Sequence, residues 1–450
     1  MAVSQQTNGQ KIVQTLWRER NLKRDFEIVL GKMLQSNQGR EDETEESYLR
    51  SANVQWDGVD LSDVKTMWFS PAEKRDLLLR EGDLVVNEGG DVGRCAIWRG
   101  SPESFYFQNA INRVRARTLA STRFLYYWLY NLKYAGFIDA MVSRITIAHL
   151  TAEKLARVPC PDVPAAEQHR IAAYLDASCA AIDGAIAAKR GQLETLDSLR
   201  NSIIQRAVTR GITESVVLES TGNRWMEQIP KDWKLVCLKR IAEIQGGLTL
   251  GKHYEGPLIE RPYLRVGNVQ DGHLDLADVS VIELPASVAA GVELRPDDVL
   301  MTEGGDLDKL GRGHLWHGEI PGCLHQNHIF AVRCFLHKLK PRFLAYVTAA
   351  KYGRDYFEAT GKKTTNLANT NTTKVGRFPI PLPPLTEQAT ICAHLDEKTA
   401  ELNRIVATIE SQITTLTAYR KSLIHECVTG RQRITEADVQ RAQSRSEQDD

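Results

Sequence analysis

Pro161 to Asp176 reads PDVPAAEQHRIAAYLD and Pro381 to Asp396 reads PLPPLTEQATICAHLD, with proline, Glu-Gln, isoleucine and Leu-Asp at matching places 220 residues apart. Proline lacks an N–H and has a fixed φ, so Pro164 and Pro384 stop the preceding chain and set the start of a helix. Glu167 and Glu387 then put negative charge in the first turn, where the helix dipole favours it. No proline follows from Ala165 to about Thr209, or from Leu385 to about Thr429. Apolar residues recur there at three and four: Ile171, Leu175, Ile182, Ile186, Leu193, Leu196 and Ile203 in one copy, Ile391, Leu395, Leu402, Val406, Ile413, Leu416 and Leu423 in the other. That spacing predicts a coiled-coil-like stripe on each of two helices roughly 67 Å long. A helix of that length needs a partner of similar length, and the other copy is the obvious candidate. Gly184 and Gly191 weaken the first helix by about 1 kcal/mol each relative to alanine and would allow a partner to approach closely.

The duplication reaches far beyond the helix starts. YLRSANVQWDGVDLSDV from Tyr48 matches YLRVGNVQDGHLDLADV from Tyr263 at an offset of 215, and GDLVVNEGGD (Gly82–Asp91) falls on DDVLMTEGGD (Asp297–Asp306). After a three-residue insertion Trp98 meets Trp316, Gln108-Asn109 meets Gln326-Asn327, and Arg115 meets Arg333. Each half therefore begins with about 150 residues whose short Val, Ile, Leu and Tyr runs, broken by Gly, Asp and Asn, predict a strand-rich mixed α/β domain. Each half ends in a helix.

The 450 residues are 42% hydrophobic and 25% charged with no formal net charge, which argues against coating nucleic acid by bulk positive charge. Charge is nevertheless local. Gln108 to Arg157 holds eight Lys and Arg against Asp139 and Glu153, and Lys351 to Arg377 is also basic. Eight scattered cysteines without a C-x-x-C pair fit reduced thiols. No uninterrupted apolar run stands out as a membrane span, and MAVSQQTNGQKIVQ lacks a secretory signal, so the expected compartment is the cytoplasm.

Taken together, the two PxxEQ…LD segments, the helix ends SLRNSIIQRAVTRG and YRKSLIHECVTG, the lead-in WMEQIPKDWKLVCLKRIAEI and the paired YLR…NV segments make the chain resemble the specificity (S) subunit of type I restriction-modification systems. The resemblance covers nearly the whole length. It implies two target recognition domains, each reading one half of a split double-stranded DNA sequence, and conserved helices that set the spacing and dock two methyltransferase (M) subunits. Restriction/translocase (R) subunits join through the assembled complex, and no membrane is involved. It further implies no catalytic residues and no cofactor on this chain, with S-adenosylmethionine, ATP and Mg²⁺ used by the partner subunits.

The expected fold is α/β (α+β): two pseudo-repeated mixed α/β target recognition domains separated by two long antiparallel coiled-coil-like helices. The boundaries read as target recognition domain 1 at 1–160, central helical spacer at 161–212, linker at 213–232, target recognition domain 2 at 233–380, distal helical spacer at 381–432 and polar C-terminal tail at 433–450. The opening KIVQTLWRERNLKRDFEIVLGKMLQ lacks the IPKDWKL of the second head, although LKR and EI recur.

Bases are read by Arg, Lys, Asn, Gln and Thr on loops and helix ends. Two segments per half qualify. One holds Gln108, Asn109, Arg113 and Arg115, matched by Gln326, Asn327 and Arg333. The other is SRITIAH, with Arg144, matched by GKKTTNLANTN, with Lys362, Lys363, Thr364, Thr365 and Asn366. The helix stripes, Ile171, Leu175, Ile182, Ile186, Leu193 and Leu196 with Ile391, Leu395, Leu402, Val406, Ile413 and Leu416, are the candidate partner-helix interface. EGGD, present twice, reads as a turn in which glycine supplies positive φ; the competing reading is a Mg²⁺ nuclease site, which would cleave DNA without partners. CLHQNH with Cys334 fits no zinc spacing, and the first copy has Phe105 and Asn109 to Ile111 where ligands would be needed, so no metal is expected. A coiled-coil scaffold that binds only proteins is the alternative to DNA readout.

If the helices measure the DNA, four residues inserted after Gln192 lengthen one by about 6 Å and nearly preserve the stripe. Methylation mapping should then find both half-sites separated by a wider gap. An unchanged gap at full activity would show that the helices do not set it.

Overall fold

A computed structural model describes residues 6–7, 10–11, 15–142, 149–270, 272–305, 310–311, 313–363 and 368–446, without the side chains of 6–11, Lys363 and Ser446. The chain forms two compact units, 1–189 with 410–450, and 190–409. Each holds one head, the beginning of one long helix and the end of the other, because the central helix runs Ala165–Arg210 and the distal one Leu385–Val428.

In the first unit a four-stranded antiparallel sheet has the order Cys95–Ile97, Leu84–Asn87, Ile111–Ala116, Phe26–Leu30. Successive strand side chains point to opposite faces. Leu84, Val86 and Val114 thus pack under the Thr122–Tyr134 helix, while Val85, Ala96 and Ile111 pack against a second sheet. That sheet is Tyr106–Phe107, Thr44–Leu49, Lys65–Phe69, its first pair parallel. Burial on both faces explains why LVV is continuously apolar rather than alternating.

The second unit repeats this plan. Its sheets are Gly313–Leu315, Val299–Thr302, Ile329–Cys334, Ala242–Gly246, and Leu324–His325, Ile259–Leu264, Ser280–Leu284. The covering helix is Pro341–Ala349. The first head also opens as the second does: Glu19–Asn21 pairs with Pro159–Pro161, Lys234–Cys237 pairs with Pro379–Leu382, and a single 3-10 turn, LKR, follows each. The strands across 160/161 and 380/381 belong to the heads.

Two stretches are more structured than their composition predicts. The linker 213–232 contains a hairpin, Leu218–Asn223 with Met226–Pro230, whose Met226 and Ile229 enter the core of the second unit. The polar tail 433–450 contains the Glu436–Ser446 helix, held to the first unit by buried Ile434 and Val439 and by Arg170, which donates to the Ile434 carbonyl and pairs with Glu436.

The long helices pair antiparallel inside each unit. Arg420 meets Asp183 in the first, and at the equivalent places Arg200 donates to Asn403 in the second. The predicted stripe divides into two kinds of position. Ile171, Leu175, Ile182, Ile186, Ile391, Leu395 and Leu402 are buried, the first four in the core of the first head; Leu193, Leu196, Val406, Ile413 and Leu416 are only half-buried. Gly184 and Gly191 are exposed, and a Cβ on either would meet nothing within 4 Å. One 18-residue window of the central helix reaches a mean hydropathy of 1.4, although no membrane-span run was expected; the helix is alanine-rich there and 33% of the window is buried.

The duplicated motif joins helix to head. Buried Gln168 accepts from the Ser121 N–H at 2.9 Å and donates to the Val163 carbonyl at 2.8 Å. Gln388, fully buried, accepts from the Lys340 N–H and donates to the carbonyls of Lys338 and Pro383. Two turns later Asp176 accepts from Arg123 and Tyr127, both at 2.6 Å, and Asp396 accepts from Arg342 and Tyr346. Burial, then the Asp396 hydrogen bond, push the Tyr346 phenol up to about 12, so it remains a donor at neutral pH. Each arginine also lies over its tyrosine ring.

Replacing Gln388 with leucine leaves three backbone groups without a side-chain partner. It should cost about 3 kcal/mol in urea unfolding, and a loss below about 1 kcal/mol would show that the joint is not held by this amide.

Candidate nucleic-acid interface

Equivalent loops gather around one corner of the sheets in each head. Asn53 builds the first of them: its carbonyl oxygen accepts from the Arg50 N–H at 2.9 Å, and its amide donates to the carbonyls of Asp60 and Asp63. Arg50 reaches the Asp63 carboxylate at 2.7 Å. Asn268, Arg265 and Asp278 repeat every bond. The recurring YLR…NV is therefore a strand followed by a side-chain-fixed turn.

A second loop docks by close backbone approach. A Cβ on Gly31 would lie 2.3 Å from the Gln108 carbonyl oxygen, and one on Gly247 equally close to that of Gln326. The Asn109 N–H then donates to the Lys32 carbonyl and the Asn327 N–H to that of Leu248. This pins the loops after Gly31 and Gly247, carrying exposed Arg40 in the first copy and Lys252 and His253 in the second, beside the Gln-Asn corners. Sequence reasoning missed these loops; the glycine at the same place in both copies was the available signal.

EGGD lies at the same corner. The Glu88 N–H donates to the Ala110 carbonyl, the Leu150 N–H to that of Glu88, and Ser51 Oγ to that of Gly89. In the second copy Glu303 bonds His328 and Thr370 in the same way, and Gly304–Gly305 pairs with Ala368–Asn369, which pairs with Lys362–Lys363. The structure thus joins two motifs whose first residues, Glu303 and Gly361, are 58 positions apart in sequence. The first EGGD is a turn, with Gly90 at φ 72°. Its carboxylates have different partners: Glu88 faces His149 at 3.8 Å, whereas Asp91 is bound by Lys133 and Arg94. Burial raises the Glu88 carboxyl above its ordinary range, against the pull of His149 and Lys154.

Of the predicted readers, Gln108, Asn109, Gln326 and Asn327 sit half-buried at this corner and Lys362 is exposed on its short strand. Lys363 shares that strand. Arg144, Thr364, Thr365, Asn366 and the second motif's Asp306 lie outside the described residues. Three arginines are corrected. Arg113 is 2% exposed, donates to the carbonyls of Asp76 and Leu78 and pairs with Glu27 at 3.0 Å. Arg115 grips both oxygens of buried Asp83 and the Leu78 carbonyl. Arg333 does the same with Asp298 and Glu293. All three lie on interior strands, where a guanidinium needs a carboxylate and cannot reach a base. Cys323 and His325 are also buried, His325 Nδ1 lying 2.8 Å from the Ile329 carbonyl oxygen.

Arg115→Ala or Arg333→Ala leaves a buried carboxylate unpaired and should destabilise its unit by about 3 kcal/mol. Lys362→Ala should leave the melting temperature unchanged, and a melt that responds the other way round would restore the arginines as surface readers.

A sequence model described as "Type I restriction modification DNA specificity domain" matches residues 15–194 and 230–415. The putative type I restriction enzyme MjaX specificity subunit of Methanocaldococcus jannaschii is 26% identical over 204 residues, 45% of this chain and 47% of the relative. The EcoBI specificity subunit of Escherichia coli is 27% identical over 236 residues, 51% of this chain and 49% of the relative. These alignments span about half the length of both relatives. The MjaVIII specificity subunit of M. jannaschii is 21% identical and aligns over 94% of this chain and 98% of its own. A solved chain from work on complex assembly and conformational transition of the type I R-M system shares the fold with a TM-score of 0.69 at 16% identity, covering 92% of this chain and 97% of that one.

Proposed function

The chain belongs to the family of type I restriction-modification DNA specificity domains, and we propose that it reads a bipartite DNA target, one half through each loop corner. One observation carries this reading: both heads keep the same buried supports, Arg115–Asp83 with Arg333–Asp298 and Asn53 with Asn268, while the loops resting on them differ in sequence. A constant scaffold under variable polar loops is what two readers of different half-sites require.

On this reading the helices set the spacing and dock two methyltransferase subunits. Half-buried Leu193, Leu196, Val406, Ile413 and Leu416 support it, as do exposed Leu199, Ile405 and Tyr419. Restriction subunits join through the assembled complex. S-adenosylmethionine serves the methyltransferase chains, ATP and Mg²⁺ serve the restriction chains, and this chain contributes recognition rather than catalysis.

Genomic methylation should be mapped in cells with and without this chain and its methyltransferase. A split motif should appear only with the chain, and replacing the second head should alter one half-site alone. Absence of a split motif, or a change in both halves, would remove the reading. In binding assays with the assembled complex, Lys362→Ala with Lys363→Ala should lower the salt slope by up to about two, given roughly 0.9 per neutralised phosphate.

A further inference from the structure

The two heads differ inside, beside the covering helix. In the first, Trp56 lies 6.2 Å from Tyr126 and 5.0 Å from Tyr130, edge-on, and the Tyr126 hydroxyl donates to the Trp56 carbonyl. The register that matches Arg123 with Arg342 and Tyr127 with Tyr346 puts Ala345 and Ala349 where the first copy has Tyr126 and Tyr130. Gln270-Asp271-Gly272 replaces Gln55-Trp56-Asp57, Asp271 lying outside the described residues. The second head thus lacks all three aromatic side chains, and a cavity of about 440 Å³ bordered by Gln270, Gly272, Ala345 and Ala349 takes their place.

The lining is chemically divided. Ile204, Leu315, Ala345 and Ala349 make an apolar floor. Arg200, Arg342 and Arg354 bring three guanidiniums to the wall, against Asp197 as the acidic residue among the described lining. Asp197 already accepts from Asn201, and Arg342 is bound to Asp396. Arg200 uses one terminal nitrogen on Asn403, while its buried Nε has no hydrogen-bond partner. That nitrogen is closed off from the cavity, but the guanidinium pairs with no carboxylate among the described residues, and its other terminal nitrogen can donate to an anion. A flat apolar group alone would fill the floor but leave that charge unpaired. The space is within the range of small-molecule sites, and the first copy shows that a bicyclic aromatic ring fits against this part of the fold.

We propose that the second unit binds a purine nucleoside phosphate here, its base on the Ala345–Ala349 floor and its phosphate accepting from Arg200. Binding requires no chemical step and no DNA.

The purified full chain should be titrated calorimetrically with AMP, inorganic phosphate and adenosine. AMP should bind at one site, with phosphate and adenosine each at least about tenfold weaker, because each supplies half of the contacts. Ala345→Tyr with Ala349→Tyr restores the first copy's side chains and should abolish AMP binding. Arg200→Gln should weaken it by about tenfold, giving a second reading should the double substitution fail to fold. Absence of AMP binding at millimolar concentration overturns the proposal, as do phosphate binding as tightly as AMP, or AMP affinity unchanged by Arg200→Gln.

Discussion

A buried glutamine amide and an Arg–Tyr–Asp clamp fasten each head to the helix that follows it, and the remaining architecture depends on that joint. Long helices with exposed, half-apolar middles gain little from propensity alone; they persist because tertiary packing holds them. Gln168 and Gln388 satisfy backbone groups on both sides of the head–helix boundary, and Asp176 and Asp396 repeat the tie two turns on. The other helix ends are held by the same heads. Gly211 and Gly430, with φ of 76° and 80°, close their helices and lie against Trp233 and Trp17. Trp233 also donates to Glu387, so the first-turn acid has a partner as well as a favourable dipole.

With the heads so anchored, charge is spent in two ways. Strand-borne arginines are internal fasteners, and Arg115 and Arg333 close a carboxylate and a backbone carbonyl in the same pattern in the two copies. Exposed loop residues such as Arg40, Lys252 and His253 stand outside these ion pairs, which leaves them open to variation. The same division explains why a duplicated fold can hold an aromatic cluster in one copy and a cavity in the other: the layers are fixed by the sheets, and filling of the angle beside them is a local matter.

Much of this was legible in the chain. The duplication, both helix starts, the mixed α/β heads and the family resemblance follow from residues close in sequence or from the match of one half to the other, whereas the shared opening of the two heads, obscured by the missing IPKDWKL, emerged only from the strand pairs. Composition misled at 213–232 and 433–450, where a few apolar residues, Met226, Ile229, Ile434 and Val439, suffice to dock a hairpin and a helix.

The sequence by itself determined the repeat, the periodicity and the places where helices begin, because proline stops and apolar spacing act within a few residues of one another. Only the tertiary structure decided what the polar residues do. Gln388 meets Lys340 across 48 positions, Arg115 meets Asp83 across 32 and Arg420 meets Asp183 across 237. A charged or amide side chain carries no mark of whether its partner is a buried carboxylate, a helix end or a nucleic acid. That choice is made by the strand face it occupies and by which distant chain the fold sets opposite it.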